Sequence, residues 1–331
     1  MRVLLVHNNY SRFVALDDAI LRQQHVVREW HPQGRRVNLA ALFAEVRGCD
    51  LVFAWFASWH SLWPILVSRL LRKPAVLVVG GYDVAAMPEI GYGNQRGGMR
   101  KLVSRWAISA ATNVVTVSRF SLAEMATNMN LRKTVEVIYH GVPDVLSSDE
   151  IPHKEAMALT AGAVEFGNLE VKGHAAFIEA ARLLPEVEFF LVGPWRDGTA
   201  EAVVANAPAN LSLTGYLEPA RLDELYRRAS VYVQVSKHES FGMSVAEAMT
   251  AGCIPVVSRE GALPEVVGQE GVYVDDIDGI AVAAAIRKAI ASDDASRASA
   301  RQRILTEFPM ERRRTALLQL VRVAAGQHDD I

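Results

Sequence analysis

Short apolar, β-branched runs recur along the chain, each ending in a polar or glycine-bearing turn and most followed by residues at helical spacing. In the first half the runs fall at 2–6, 49–56, 74–79, 113–117 and 135–139, and in the second at 156–166, 188–192, 211–213, 231–235, 254–257 and 272–274. Helical spacing is read over 16–29, 39–47, 99–111, 222–229, 244–251, 280–290 and 312–323. This alternation predicts an α/β protein of two doubly wound domains facing a cleft. The polar, proline-bounded run 143–153 is the expected linker, giving a first domain over 1–145, a second over 146–310, and a final helical segment over 311–331 that crosses back to the first. No internal repeat or low-complexity stretch stands out.

One stretch concentrates candidate chemistry. Residues 237–255 read KHESFGMSVAEAMTAGCIP, with Glu239 and Glu247 eight residues apart around Gly242. An apolar run precedes it and Ile254-Pro255-Val256-Val257 follows, so it forms a strand–loop–helix–strand unit with a polar loop at the carboxyl end of a strand, where open α/β sheets bind ligands. Gly242 allows close backbone approach, and the amides of Gly242, Met243 and Ser244 lie at a helix start suited to a diphosphate. Glu247, one turn into the helix, can accept from a diol such as a ribose, and Glu239 can reach another part of the same ligand. The alternative is that Ser240 or Ser244 caps the helix and both glutamates are solvated surface groups.

Composition narrows the classes. The 331 residues suffice for two domains, and a formal net charge of −2 gives no reason to expect nucleic acid. Two cysteines, Cys49 and Cys253, lack metal-ligand spacing and read as free and reduced, which fits a cytoplasmic chain. The amino-terminal run is too short for a signal peptide, and no run of about 18 apolar residues suggests a membrane span.

The E-x7-E pair followed by AEAMTAGCIPVV resembles the family 4 glycosyltransferases, retaining enzymes of the GT-B fold built from two Rossmann-like domains. The resemblance is strongest over roughly 157–275 and weaker before it. It implies that Glu239 contacts the donor sugar, that Glu247 binds the ribose, and that the backbone at Phe241, Gly242 and Met243 faces sugar and diphosphate. Lys172 matches a lysine of a Lys-Gly pair that contacts the diphosphate, whereas Ala163 stands where the family carries an arginine. The turns at Gly193 and at Gly215-Tyr216 match nucleotide-side turns, and Trp195 either stacks on a base or covers the sheet end. In the first half, Gly80-Gly81-Tyr82-Asp83 resembles the family's HGxD, with Gly80 in the histidine's place and Asp83 and Tyr82 as remaining candidates; alternatively the glycines make a tight turn and Asp83 caps the next segment.

The resemblance implies transfer of a hexose-type unit from a nucleoside diphosphate sugar to a hydroxyl on a saccharide or lipid-linked acceptor, with retention and without a bound metal or other cofactor. Polysaccharide or glycolipid biosynthesis is the expected setting. Rival classes are a nucleotide-sugar epimerase and a non-catalytic partner subunit. Three further stretches carry alternatives. Trp55, Phe56, Trp59, His60 and Trp63 form either core packing or an acceptor- or membrane-facing wall. Residues 91–98 form a flexible loop too irregular for a dinucleotide fingerprint. In the helix over 99–111, Met99, Leu102, Val103, Trp106 and Ala110 form a core face, with Arg100, Lys101 and Arg105 either solvated or contacting an anionic membrane at its cytoplasmic side.

Overall fold

In a computed structural model, which describes residues 1–31, 37–130, 133–146, 148 and 150–326, the apolar runs become two separate parallel sheets. Residues 147 and 149 of the expected linker, and 327–331 of the expected final segment, lie outside the described residues. The chain divides into two compact units, one of Met1–Gly141 with Met310–Ile331 and the other of Val142–Pro309.

The first unit holds β1 (Arg2–Val6), β2 (Val26–Trp30), β3 (Leu51–Trp55), β4 (Ala75–Val79), β5 (Asn113–Thr116) and β6 (Glu136–Val137). They lie in the order β2-β1-β3-β4-β5-β6. Every residue of β3 and β4 is buried, as expected where helices cover both faces of a parallel sheet. Register is set by pairs such as Val3 with Leu51 and Val52 with Ala75. The helix Met310–Ala324 belongs to this unit and packs on the helix Arg12–Arg22. There the buried Arg313 forks onto the buried Asp17 through two 2.6 Å hydrogen bonds, and Trp55 Nε1 donates to the same carboxylate at 3.1 Å.

The second unit holds β7 (Glu155–Ala161), β8 (Glu188–Val192), β9 (Leu211–Gly215), β10 (Ala229–Gln234), β11 (Ile254–Ser258) and β12 (Val272–Val274), in the order β12-β11-β10-β7-β8-β9. The polar run after Val142 is held to this unit: Arg301 forks onto Asp144, and Val145 N donates to Thr250 Oγ1 at 3.2 Å.

Several local expectations change. The helix expected over 16–29 ends at Arg22, and β2 comes next, because the β-branched pair Val26-Val27 extends the sheet beside β1. In the helix Gly98–Ala110 the buried residues are Val103, Ser104, Ala107 and Ile108. Met99, Leu102 and Trp106 are exposed instead, so the expected core face is rotated toward solvent; Gln95, hydrogen-bonded to Ser104, helps fix that orientation. The 91–98 stretch is not a free loop, since Gln95 Nε2 donates to Asp83 O at 2.8 Å and Asn94 is buried. The apolar run expected as a strand over 156–166 ends its strand at Ala161, and Phe166 instead opens the short helix Phe166–Val171.

Candidate functional site

The carboxyl ends of the second unit's central strands bring the candidate residues together. Gly193, just after β8, has φ 154°, and a Cβ there would stand 1.9 Å from Gly162 O, so only glycine permits the two strand-end turns to touch. Its amide donates to Gly215 O at 3.0 Å, which sets the turn carrying Tyr216 beside it. Tyr216 and Trp195 are both exposed at this edge.

Beyond β10 the backbone turns through Gly242, whose φ of 93° starts the helix Met243–Thr250. A Cβ on Gly242 would press to 2.9 Å from Val245 Cγ1. No side chain caps this helix, so neither serine does the capping that the alternative reading required. Its first amides lie outside the helical hydrogen-bond ladder, which makes the turn a natural seat for an anion. Phe241 is buried with its ring edge-on to Phe308 at 5.3 Å, so it offers a ligand its backbone rather than its ring. Ser244 hydrogen-bonds with the buried Tyr232 phenol. Met243 and Ser244 are half-buried.

The two glutamates are not solvated surface groups. Glu247 is 1% exposed on the inner face of its helix. Glu239 is partly buried and accepts from Lys172 Nζ at 2.8 Å, from Gln234 Nε2 at 3.2 Å and from Ser240 N at 3.2 Å. Burial alone would push its carboxyl up, but the charge and hydrogen bond of Lys172 outweigh this and hold it below its ordinary value. Lys172 follows the helix Phe166–Val171, 67 positions away in sequence from its partner. Gln234 also donates to Ser236 Oγ at 2.7 Å, forming a polar chain under the turn.

Two members escape a reading of the sequence. Gln234 interrupts the apolar run 231–235 at the end of β10, a signal visible in the sequence. His174 follows the Lys-Gly pair and is buried against Gly162; burial first, and the Lys172 charge second, depress its pKa to about 4. His238, next to Glu239 in the sequence, is buried as well.

Asp83 belongs to the first unit. It is 2% exposed, and its Oδ2 accepts from Gly80 N at 3.0 Å and Ala57 N at 3.1 Å. Burial raises its pKa to about 6, against the lowering effect of those amides. It therefore clamps the loops after β3 and β4, and it also lines a cavity of about 400 Å³ with Tyr82. Among the described residues, no group of three or more His, Cys, Asp or Glu side chains could hold a metal ion. No described helix is long and apolar enough to cross a membrane.

Residues 147–304 match the family model described as Glycosyl transferases group 1. O-antigen chain mannosyltransferase B of Escherichia coli is 29% identical over 207 residues, which cover 56% of this chain and 54% of that one. Alpha-galactosylglucosyldiacylglycerol synthase of Streptococcus pneumoniae is 34% identical over 110 residues, covering 31% and 29%. The chain thus spans about half or less of the length of these curated relatives. Among solved structures, Anabaena HepE in complex with UDP and glucose superposes with a TM-score of 0.74 at 16% identity, over 98% of this chain and all of that one. The fold is GT-B, with two Rossmann-like domains.

Proposed function

We propose that this chain is a retaining, family 4 glycosyltransferase that moves a hexose-type sugar from a nucleoside diphosphate sugar to a hydroxyl on a saccharide or lipid-linked acceptor. The observation that carries this reading is the joining of Lys172 and Glu239 beside the left-handed Gly242 turn at a helix start. In it, the amides at Gly242, Met243 and Ser244 and the Lys172 ammonium hold the diphosphate. Glu239 accepts from sugar hydroxyls, Glu247 from the ribose diol, and the turns at Gly193 and Tyr216 flank the nucleotide. As the bond from the anomeric carbon to diphosphate oxygen breaks, charge grows on the diphosphate, and Lys172 with these amides stabilises it. The acceptor oxygen bonds to the anomeric carbon on the same face, and its proton passes to the departing diphosphate. No metal or other cofactor takes part in this scheme.

The family match over 147–304 and a fold shared with a protein solved with UDP and glucose support the donor class. The E. coli relative, named for O-antigen, and the S. pneumoniae relative, named for a diacylglycerol lipid, support a role in surface polysaccharide or glycolipid synthesis. Exposed Met99, Leu102 and Trp106, with Arg100 and Lys101 on the same helix, support a reading of the chain as a cytoplasmic protein in peripheral contact with the anionic inner face of a membrane. Vesicles of phosphatidylglycerol that fail to sediment the protein at low salt would remove that contact from the proposal.

The deciding experiment is thermal unfolding with UDP, GDP, ADP and CMP, free and sugar-linked, for wild type and Glu247→Ala. A ligand at about 100 times its dissociation constant adds about 2.7 kcal/mol, which moves a midpoint by several degrees. One nucleotide should raise the midpoint, and Glu247→Ala should weaken that rise. No shift with any of them refutes donor binding by the free chain and leaves a non-catalytic subunit as the better account.

A further inference from the structure

The first unit contains a feature that neither the donor site nor the fold requires. Phe56, directly after β3, has φ 64°, a left-handed backbone conformation that bulky residues rarely adopt. It is held there on both sides: its amide donates to Val78 O at 2.9 Å, and its carbonyl accepts from Ser61 Oγ at 2.6 Å. The twist lays its ring over Gly80, at the end of β4. A Cβ on Gly80 would stand 2.1 Å from Phe56 Cε1 and 2.6 Å from Cδ1. The glycine at 80 and the strained Phe56 are therefore one device: the ring fills the space that any side chain at 80 would take. Strain of this kind persists where the surroundings over-determine it, and it concentrates at ligand sites.

The ring contributes to the wall of a cavity of about 400 Å³ at the carboxyl ends of β1, β3 and β4, a size suited to a small ligand. Trp59 and Tyr82 add two more aromatic rings to the lining. Asn8, Asn9 and Asn94 bring amides, Asp83 a carboxylate and Arg100 a guanidinium. Aromatic rings offer flat apolar surface to the C–H face of a sugar. Amides both donate and accept, as sugar hydroxyls do, and a carboxylate accepts from them. With a single cation among the described residues of the lining, the cavity is poorly suited to a polyanion.

We propose that this cavity binds a pyranose and that Phe56, admitted by Gly80, is its specificity-determining residue, selecting a sugar with an unsubstituted apolar face. That this pyranose is the acceptor rests on the glycosyltransferase reading above; the binding itself does not. A polar side chain at position 80 would place a hydrogen-bonding group where this chain places a ring, so the exchange changes which face of the sugar is recognised.

The test is saturation-transfer difference NMR on the whole chain with methyl α-D-mannopyranoside, methyl α-D-glucopyranoside and methyl β-D-galactopyranoside, with UDP-induced thermal shifts measured on the same samples. At least one pyranoside should receive saturation at its ring C–H protons. Phe56→Asn removes the ring but keeps a residue tolerant of the left-handed backbone, so it should fold and weaken that binding about tenfold. Gly80→Ala should do the same with Phe56 intact, because the new methyl displaces the ring. Glu247→Ala should leave pyranoside binding unchanged while reducing the UDP shift. Absence of saturation for all three sugars, or undiminished binding in Phe56→Asn, overturns the proposal. A UDP shift in that same sample keeps the donor reading intact. Conversely, Phe56-dependent sugar binding without any UDP shift upholds the sugar site and removes the donor reading.

Discussion

Lys172 is already engaged by Glu239 in the free protein, and this gives a prediction with opposite signs for its two partners. The pair is 2.8 Å apart, with side chains 24% and 14% exposed, so solvent screens it only in part. At an effective dielectric of 20, two unit charges at that distance attract by about 6 kcal/mol before desolvation is subtracted. What survives is the net worth of a charge-assisted hydrogen bond, about 1.5–3 kcal/mol. If Lys172 makes such a bond to a donor diphosphate, Lys172→Met should weaken UDP by about 10- to 150-fold. Glu239→Gln keeps an acceptor but removes the competing charge, so UDP, which carries no sugar for Glu239 to hold, should bind a few-fold more tightly. The same variant should lose affinity for the sugar-linked nucleotide relative to UDP. Isothermal titration calorimetry of UDP and UDP-sugar with both variants reads each term. If Glu239→Gln weakens UDP as much as Lys172→Met does, or if Lys172→Met has no effect, the ion pair is architectural and the diphosphate lies elsewhere.

Other consequences can be checked directly. Arg313→Leu leaves the buried Asp17 carboxylate without its cation and should cost about 3–5 kcal/mol in urea unfolding, much of which Asp17→Leu in the same chain should restore. Gly193→Ala places a methyl against Gly162 O and should cost upward of about 3 kcal/mol in the same assay, with loss of the UDP-induced thermal shift. The Asp83 pKa, about 6 against an ordinary 3.8, lies above its unfolded value, so its contribution is fully present below about pH 4 and is lost as pH rises through 6. That is on the order of 3 kcal/mol; Asp83→Asn, which can still accept from Gly80 and Ala57, should flatten the slope of unfolding free energy between pH 4 and 7.

How legible each element is in the sequence depends on how it is buried. β3, β4 and β10 read clearly because both of their faces are covered and their apolar runs are continuous. β2 reads as part of a helix because it is an edge strand whose sequence, VVREW, shows little burial. The helix Asp294–Glu307 gives only a weak periodic signal because two of the four residues it buries, Arg297 and Arg301, are charged, and only Ala300 and Ile304 are apolar. Met99, Leu102 and Trp106 point to the correct helix and the wrong face, since periodicity fixes a stripe but not which stripe meets the sheet. At the candidate site, the Gly242 turn is legible because it is local. The Lys172–Glu239 bond is not, because nothing in a sequence states that two residues 67 positions apart touch.

The same distinction bears on the glycine at 80, a departure from the HGxD pattern that Gly80-Gly81-Tyr82-Asp83 otherwise resembles. Read alone, a glycine in place of a histidine looks like a loss and favours a chain that kept the fold without the chemistry. Yet the position is not vacant: the Phe56 ring occupies it, at the cost of a left-handed backbone held by hydrogen bonds to Val78 and Ser61. Decay would relax that strain, since a glycine or asparagine at 56 removes it by a single exchange and leaves the sheet untouched. Phe56 and Gly80 fit only as a pair, beside an Asp83 clamp that ties both loops, which is what the proposed pyranose site requires and what drift after loss of function would not keep.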